Sequence, residues 1–192
     1  MSSQNWEEFN YPPLLHLWHY APRELDRGLR FVARTTHLAL VVALLALTVN
    51  LVLNIGLMVI GHNHGIHIMY AAFNLILGTI LGMYTLMEHG YKGMATNKAS
   101  LMNRYLAAWG VLTLGMVAAS FLAVINFNGW ARVAGLISRP MGDPLVQMFW
   151  LVGSAVESGL WTLAYLVSLV AMSFVYKINR DGPAVVRRMN RL

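Results

Sequence analysis

The chain has 192 residues, 57% of them apolar and 11% charged, with 14 Lys plus Arg against 8 Asp plus Glu and no cysteine. A soluble domain carries about 25% charged residues, so this composition excludes an ordinary soluble domain, and its apolar content excludes disorder. The missing thiol excludes zinc-thiolate and redox-cysteine proteins, and the disulfide-stapled four-span families with them.

The first 22 residues hold no Lys or Arg. Trp6, Glu7, Glu8 and Phe9 lack the basic region, apolar core and small-residue cleavage site of a secretory signal, so the first span is expected to do its own targeting. Pro22 suits the first position of a helix. After it, Arg23, Arg27, Arg30 and Arg34 recur on one stripe and Leu25, Leu29 and Val32 on another. Residues 1–35 therefore read as a short tail and an interfacial amphipathic helix that leads into the bilayer.

No Asp, Glu, Lys or Arg occurs from Thr35 to Met87, and none from Tyr105 to Ala131. The first of these stretches is too long for one crossing, which takes about 20 helical residues. It reads as two spans, 36–60 and 66–87, joined at the polar turn Gly61-His62-Asn63-His64-Gly65. A third span is expected over 105–127. After the breakers Pro140, Gly142, Asp143 and Pro144, the stretch Leu145–Gly153 reads as an interfacial lead-in or tilted extension, and 154–176 as the fourth span. Residues 177–192 form a basic tail. The expected fold is all-α, a four-transmembrane-helix bundle over 36–176.

Arg23, Arg27, Arg30, Arg34, Lys92, Lys98, Arg104, Lys177, Arg180, Arg187, Arg188 and Arg191 all fall on one side of such a bundle, and Arg132 and Arg139 on the other. The positive-inside rule then places both termini in the cytosol, or in the matrix of an organelle. Arg23, Arg27, Arg30, Arg34, Lys92, Lys98, Arg104, Arg187, Arg188 and Arg191 are candidate contacts for anionic lipid heads, each contributing about 1 kcal/mol near the surface. The same residues also read simply as topology signals.

Few residues carry chemistry. His62, His64 and His67 cluster at the first turn, but no carboxylate joins them there and their spacing matches no compact metal motif, so no metal site is assigned. His37 and His89 would reach one membrane depth, as haem ligands do in bundles, yet both sit at the interface and no second pair accompanies them. Glu157 is the one acidic residue within an apolar segment, within reach of Arg132, Arg139 or the histidine turn; it reads as a structural pair or a water-exposed carboxylate rather than a proton or ion pathway, and is assigned to inter-helix polar packing. Asn50, Asn54 and Asn74 are expected to hydrogen-bond across helix interfaces, and Gly78 with Gly82 to allow close helix approach. With no nucleophile beside a base, phosphate loop or paired carboxylates, no catalytic residue and no cofactor is assigned, and nucleic acid is not an expected partner.

Taken in order, several of these segments resemble the secretory carrier membrane protein family. They are Asn10-Tyr11-Pro12-Pro13-Leu14, the basic-then-apolar run Arg27–Asn54 with Asn50-Leu51-Val52 inside it, and Tyr91-Lys92 followed by Ala99-Ser100. Gly129-Trp130 and Tyr176-Lys177 with Gly182 continue the likeness, which covers residues 10–182. The chain departs from the family in lacking Asn-Pro-Phe repeats and core cysteines, and in carrying Glu88-His89-Gly90 where the family's loop has an arginine-proline pair. The resemblance implies a non-catalytic scaffold of post-Golgi and endosomal vesicle membranes that engages lipids and other integral membrane proteins. The short tails favour an alternative role, as an accessory subunit of a large organellar assembly such as a respiratory complex or ATP synthase of the mitochondrial inner membrane.

Overall fold

The computed structural model describes residue 6 and residues 8–139 and 141–182. Pro140 and the tail residues Arg187, Arg188 and Arg191 lie outside that set. Five helices follow in order: α1 (Arg27–Val59), α2 (Gly65–Ala95), α3 (Ala99–Phe121), α4 (Trp130–Ser138) and α5 (Pro144–Asp181). Among the described residues α1, α2, α3 and α5 are long and apolar enough to cross a membrane, and the one β feature is an isolated bridge, Tyr11 to Trp18.

The helices differ in extent from the spans read off the sequence, for local reasons. Pro22–Glu24 is a single 3₁₀ turn, and from Arg27 one helix runs unbroken through the first span, because no breaker separates the basic stripe from the apolar run. The amphipathic stretch is thus the beginning of α1 rather than a separate element. On its apolar stripe Leu25 and Val32 are buried and Leu29 half-buried; on its basic stripe Arg23, Arg27 and Arg34 are exposed and Arg30 half-buried.

Helix α2 does not stop at Met87. It passes through a π-helical stretch, Thr85–Tyr91, and resumes as Lys92–Ala95. Here Gly90 is buried against the Tyr105 ring, and Glu88 pairs with Lys92 at 3.0 Å, one turn on. The connection to α3 shrinks to Thr96, Asn97 and Lys98, with Asn97 in the left-handed conformation at φ 51°.

Helix α3 ends at Phe121, six residues earlier than expected, and residues 122–129 fold back without helix. The Gly129 N–H donates to the Leu122 carbonyl at 3.1 Å. A Cβ at Gly129 would collide with that carbonyl oxygen and stand 2.7 Å from the Leu122 nitrogen, so only glycine fits. Helix α5 starts at Pro144 and takes in the expected lead-in. Asp143 Oδ1 accepts from the Leu145 and Val146 N–H groups at 2.9 and 3.3 Å, a side-chain cap ahead of a proline in the first turn.

The chain divides into two compact units. The first comprises the described residues up to Leu38, Gly82–Gly110 and the described residues from Val167; its core includes Val32, Leu86, Tyr91, Met102, Tyr105 and Trp109. The second comprises Ala39–Leu81 and Val111–Leu166, with Leu40, Ala46, Leu57, Ala71, Trp161 and Ala164 in its core.

Candidate functional site

The core of the second unit contains a knot of polar side chains. Asn50, Asn54, Asn126, Asn128 and Glu157 are all buried, with Glu157 at 0% exposure. Burying so many polar atoms is tolerable only if each finds a partner. Glu157 Oε1 accepts from Asn50 Nδ2 at 2.8 Å and from the Asn128 backbone N–H at 3.1 Å; Oε2 accepts from Asn128 Nδ2 at 3.0 Å. Asn50 and Asn126 form a reciprocal pair: Asn126 Nδ2 donates to Asn50 Oδ1 at 2.8 Å while Asn50 Nδ2 donates to the Asn126 carbonyl at 2.7 Å. Asn54 Nδ2 reaches the same carbonyl at 3.0 Å, and Asn54 Oδ1 accepts from Asn63 Nδ2 at 2.7 Å. Trp150 Nε1 closes the far end on Asn128 Oδ1 at 3.0 Å.

The arrangement corrects the expected surroundings of Glu157. Among the described residues its carboxylate is met by amides rather than by a cation. Arg132 instead lies over the Trp150 ring, 5.0 Å from its centroid, and Arg139 is exposed at the end of α4. Asn50 and Asn54 were expected to bond across helix interfaces; both instead meet Asn126 of the fold-back after α3. Asn74 reaches Asn126 Oδ1 only at 3.4 Å. Gly78 lies on the close approach of α2 to α1, where a Cβ would be 2.7 Å from Leu47 Cδ1; Gly82 is buried in the first unit.

Asn126 and Asn128 were legible only as loop residues. The one local sign of their role is Ile125, exposed and β-branched yet held at φ 56°. Such a backbone costs about 1–3 kcal/mol and persists only where its surroundings over-determine it. Here the burial of Asn126 supplies that constraint.

Beside the knot lies a cavity of about 220 Å³, lined by Asn54, His62, Asn63, His64, His67, Ile125, Asn126, Asn128, Arg132 and Trp150. The histidine trio thus sits at a hollow, although among the described residues no group of three His, Cys, Asp or Glu is placed to hold a metal ion.

The first unit solves its polar problem with rings. The segment before α1 folds back on itself, the Tyr11 and Trp18 backbones pairing at 2.8 and 2.9 Å, and its aromatic side chains dock. The Tyr11 hydroxyl and His37 Nε2 are hydrogen-bonded at 2.7 Å, Tyr20 stacks on His37 with centroids 5.1 Å apart, and the Tyr20 hydroxyl donates to the Ala33 carbonyl at 3.1 Å. The Tyr91 hydroxyl accepts from the Ala21 N–H at 3.1 Å. Burial pushes the Tyr11 and Tyr20 phenols above their ordinary range, and for Tyr20 the neighbouring Tyr11 and Tyr91 add to it, so both remain neutral hydroxyls at physiological pH. His37 is thereby occupied by tyrosines, while His89 packs edge-on against Tyr84.

Of the candidate lipid contacts that are described, Arg23, Arg27, Arg34, Lys98 and Arg104 are exposed and belong to the first unit. Arg30 is not free: its guanidinium donates to the Arg23 and Leu25 carbonyls at 2.8 and 3.2 Å and ties down the turn before α1. Lys92 is shared between Glu88 and the face of the Trp6 ring, 5.9 Å away.

An all-helical chain with four helices of membrane-crossing length and composition is an integral membrane protein. A comparison with protein families narrows the class: the profile of the SCAMP family matches residues 8–182, and the chain belongs to that family. Neither curated proteins nor solved structures gave a match.

Proposed function

We propose that this protein is a non-catalytic scaffold of vesicle membranes, which organises anionic lipids and partner membrane proteins through a basic cytosolic face. The observation that carries the reading is membership of the SCAMP family over residues 8–182. Exposed Arg23, Arg27, Arg34, Lys98 and Arg104 of the first unit support it, since basic groups beside an apolar helix attract anionic headgroups.

The test is location and company. A fluorescently tagged chain is expected on Golgi-derived and endosomal membranes. Exclusive co-purification with a respiratory complex or ATP synthase would replace this reading with that of an accessory subunit. For the lipid role, replacing Arg23, Arg27 and Arg34 with Gln is expected to weaken co-sedimentation with phosphatidylserine vesicles, whereas Arg30→Gln alters stability more than binding.

A further inference from the structure

The cavity beside the Asn–Glu157 knot has a marked chemical bias. Three amide oxygens on its walls already accept a bond: Asn54 Oδ1 from Asn63, Asn126 Oδ1 from Asn74 and Asn128 Oδ1 from Trp150. Unpartnered nitrogens stand beside them. Arg132 Nε and His67 Nδ1 are buried with no hydrogen-bond partner among the described residues, and His62 and His64 stand on the same wall. An anion needs N–H donors and positive charge; Arg132 supplies both, and each imidazole carries at least one N–H. At about 220 Å³ the hollow exceeds the roughly 30 Å³ share of one water several-fold, room enough for a phosphate group.

A second hollow is formed by residues that neighbour the first in the chain. An apolar groove of about 430 Å³ is lined by Gly56, Val59, Ile60, Leu145, Val146 and Phe149. Its walls continue those of the polar cavity along the chain, Ile60 leading to His62 and Phe149 to Trp150. A donor-lined cavity and an apolar groove built from neighbouring residues of α1 and α5 match a molecule with an anionic head and a hydrocarbon tail. The Trp150 face that would attract a quaternary ammonium is already covered by Arg132, which disfavours a choline head.

We propose that these two hollows form a single-lipid site: the phosphate of a phospholipid of net negative charge is held by Arg132 and the His62, His64 and His67 imidazoles, and one acyl chain lies in the Val59–Ile60–Val146–Phe149 groove. This site differs from the diffuse basic face of the first unit and does not depend on the trafficking role.

The experiment uses the full chain purified in mild detergent and offered phosphatidylglycerol, phosphatidylcholine or inorganic phosphate, with bound mass read by native mass spectrometry. The expected result is one retained phosphatidylglycerol, with phosphatidylcholine about tenfold weaker and no displacement by inorganic phosphate at millimolar concentration. Arg132→Gln is expected to reduce retention about tenfold at unchanged helical circular dichroism, while Arg139→Gln, just past the end of α4, leaves it intact. Val146→Trp, which fills the groove without touching the polar lining, is expected to reduce it too, and decides the matter if Arg132→Gln fails to fold. Equal retention of the two lipids, displacement by inorganic phosphate, a cavity that takes up water alone, or wild-type retention in a folded Arg132→Gln or Val146→Trp variant would each overturn the proposal.

Discussion

The two units bury polar groups by opposite means. In the first, phenols and imidazoles do the work: Tyr11, Tyr20 and Tyr91 present one hydroxyl each, and the ring behind it remains apolar, so docking a segment costs little desolvation. In the second, short amides and a carboxylate are packed with almost no apolar body, and the knot is stable only because donors and acceptors are matched atom for atom. The aromatic solution tolerates the loss of one bond. The amide solution does not, since each deletion strands a buried partner.

Glu157→Ala is the most severe way to break that contrast. It leaves the Asn128 backbone N–H without its acceptor and takes one of two acceptors from Asn50 Nδ2 and from Asn128 Nδ2, and is expected to cost about 3 kcal/mol. Thermal unfolding in detergent should show a large fall in Tm, with Glu157→Gln intermediate because one oxygen acceptor survives. A Tm within a degree of wild type would mean that the knot does not hold the fold-back.

Tyr20→Phe, by comparison, removes one hydroxyl but keeps the stack on His37. The expected loss is about 1 kcal/mol, seen chiefly as faster proteolysis of the segment before α1. Because the folded-state pKa of Tyr20 is raised, this contribution is present in full below about pH 10 and lost only as pH climbs beyond it. A Tyr20→Phe loss as large as that of Glu157→Ala would erase the distinction between the units.

Ile125→Gly sharpens the comparison with the opposite sign. Glycine takes φ 56° without the Cβ clash, so stability is expected to rise by up to about 1 kcal/mol; a fall would show that the exposed isoleucine is held by packing rather than tolerated. Glu88→Gln is the smallest perturbation. A half-exposed i,i+4 pair contributes about 0.3–0.5 kcal/mol, and the change in Tm should vanish in high salt.

Much of this was legible in the sequence. Two charge-free stretches, a polar turn and a proline-marked loop set the number of membrane helices, because hydrocarbon tolerates few charges and a crossing has a fixed length. Asn50, Asn54 and Glu157 stood out as polar groups in apolar text, and all three are in the knot. Helix ends were less legible. Gly90 and the Glu88-His89 pair looked like a loop, yet the packing of Gly90 against Tyr105 carries the helix on through a π-helical stretch. Asn126 and Asn128 looked like residues that end a span, which is how such amides read wherever neighbours are unknown.

Composition and periodicity alone thus determined an all-helical membrane protein with four long apolar helices, since burial in hydrocarbon is a property of each segment by itself. Only the tertiary structure decided which groups satisfy Glu157, that the segment before α1 docks through its tyrosines, and that the histidine turn opens on a cavity beside Arg132. Those outcomes depend on pairing residues up to 107 positions apart, as Asn50 with Glu157. Hydrogen bonds are short-ranged and directional, so no local pattern encodes which distant partner arrives within 3 Å.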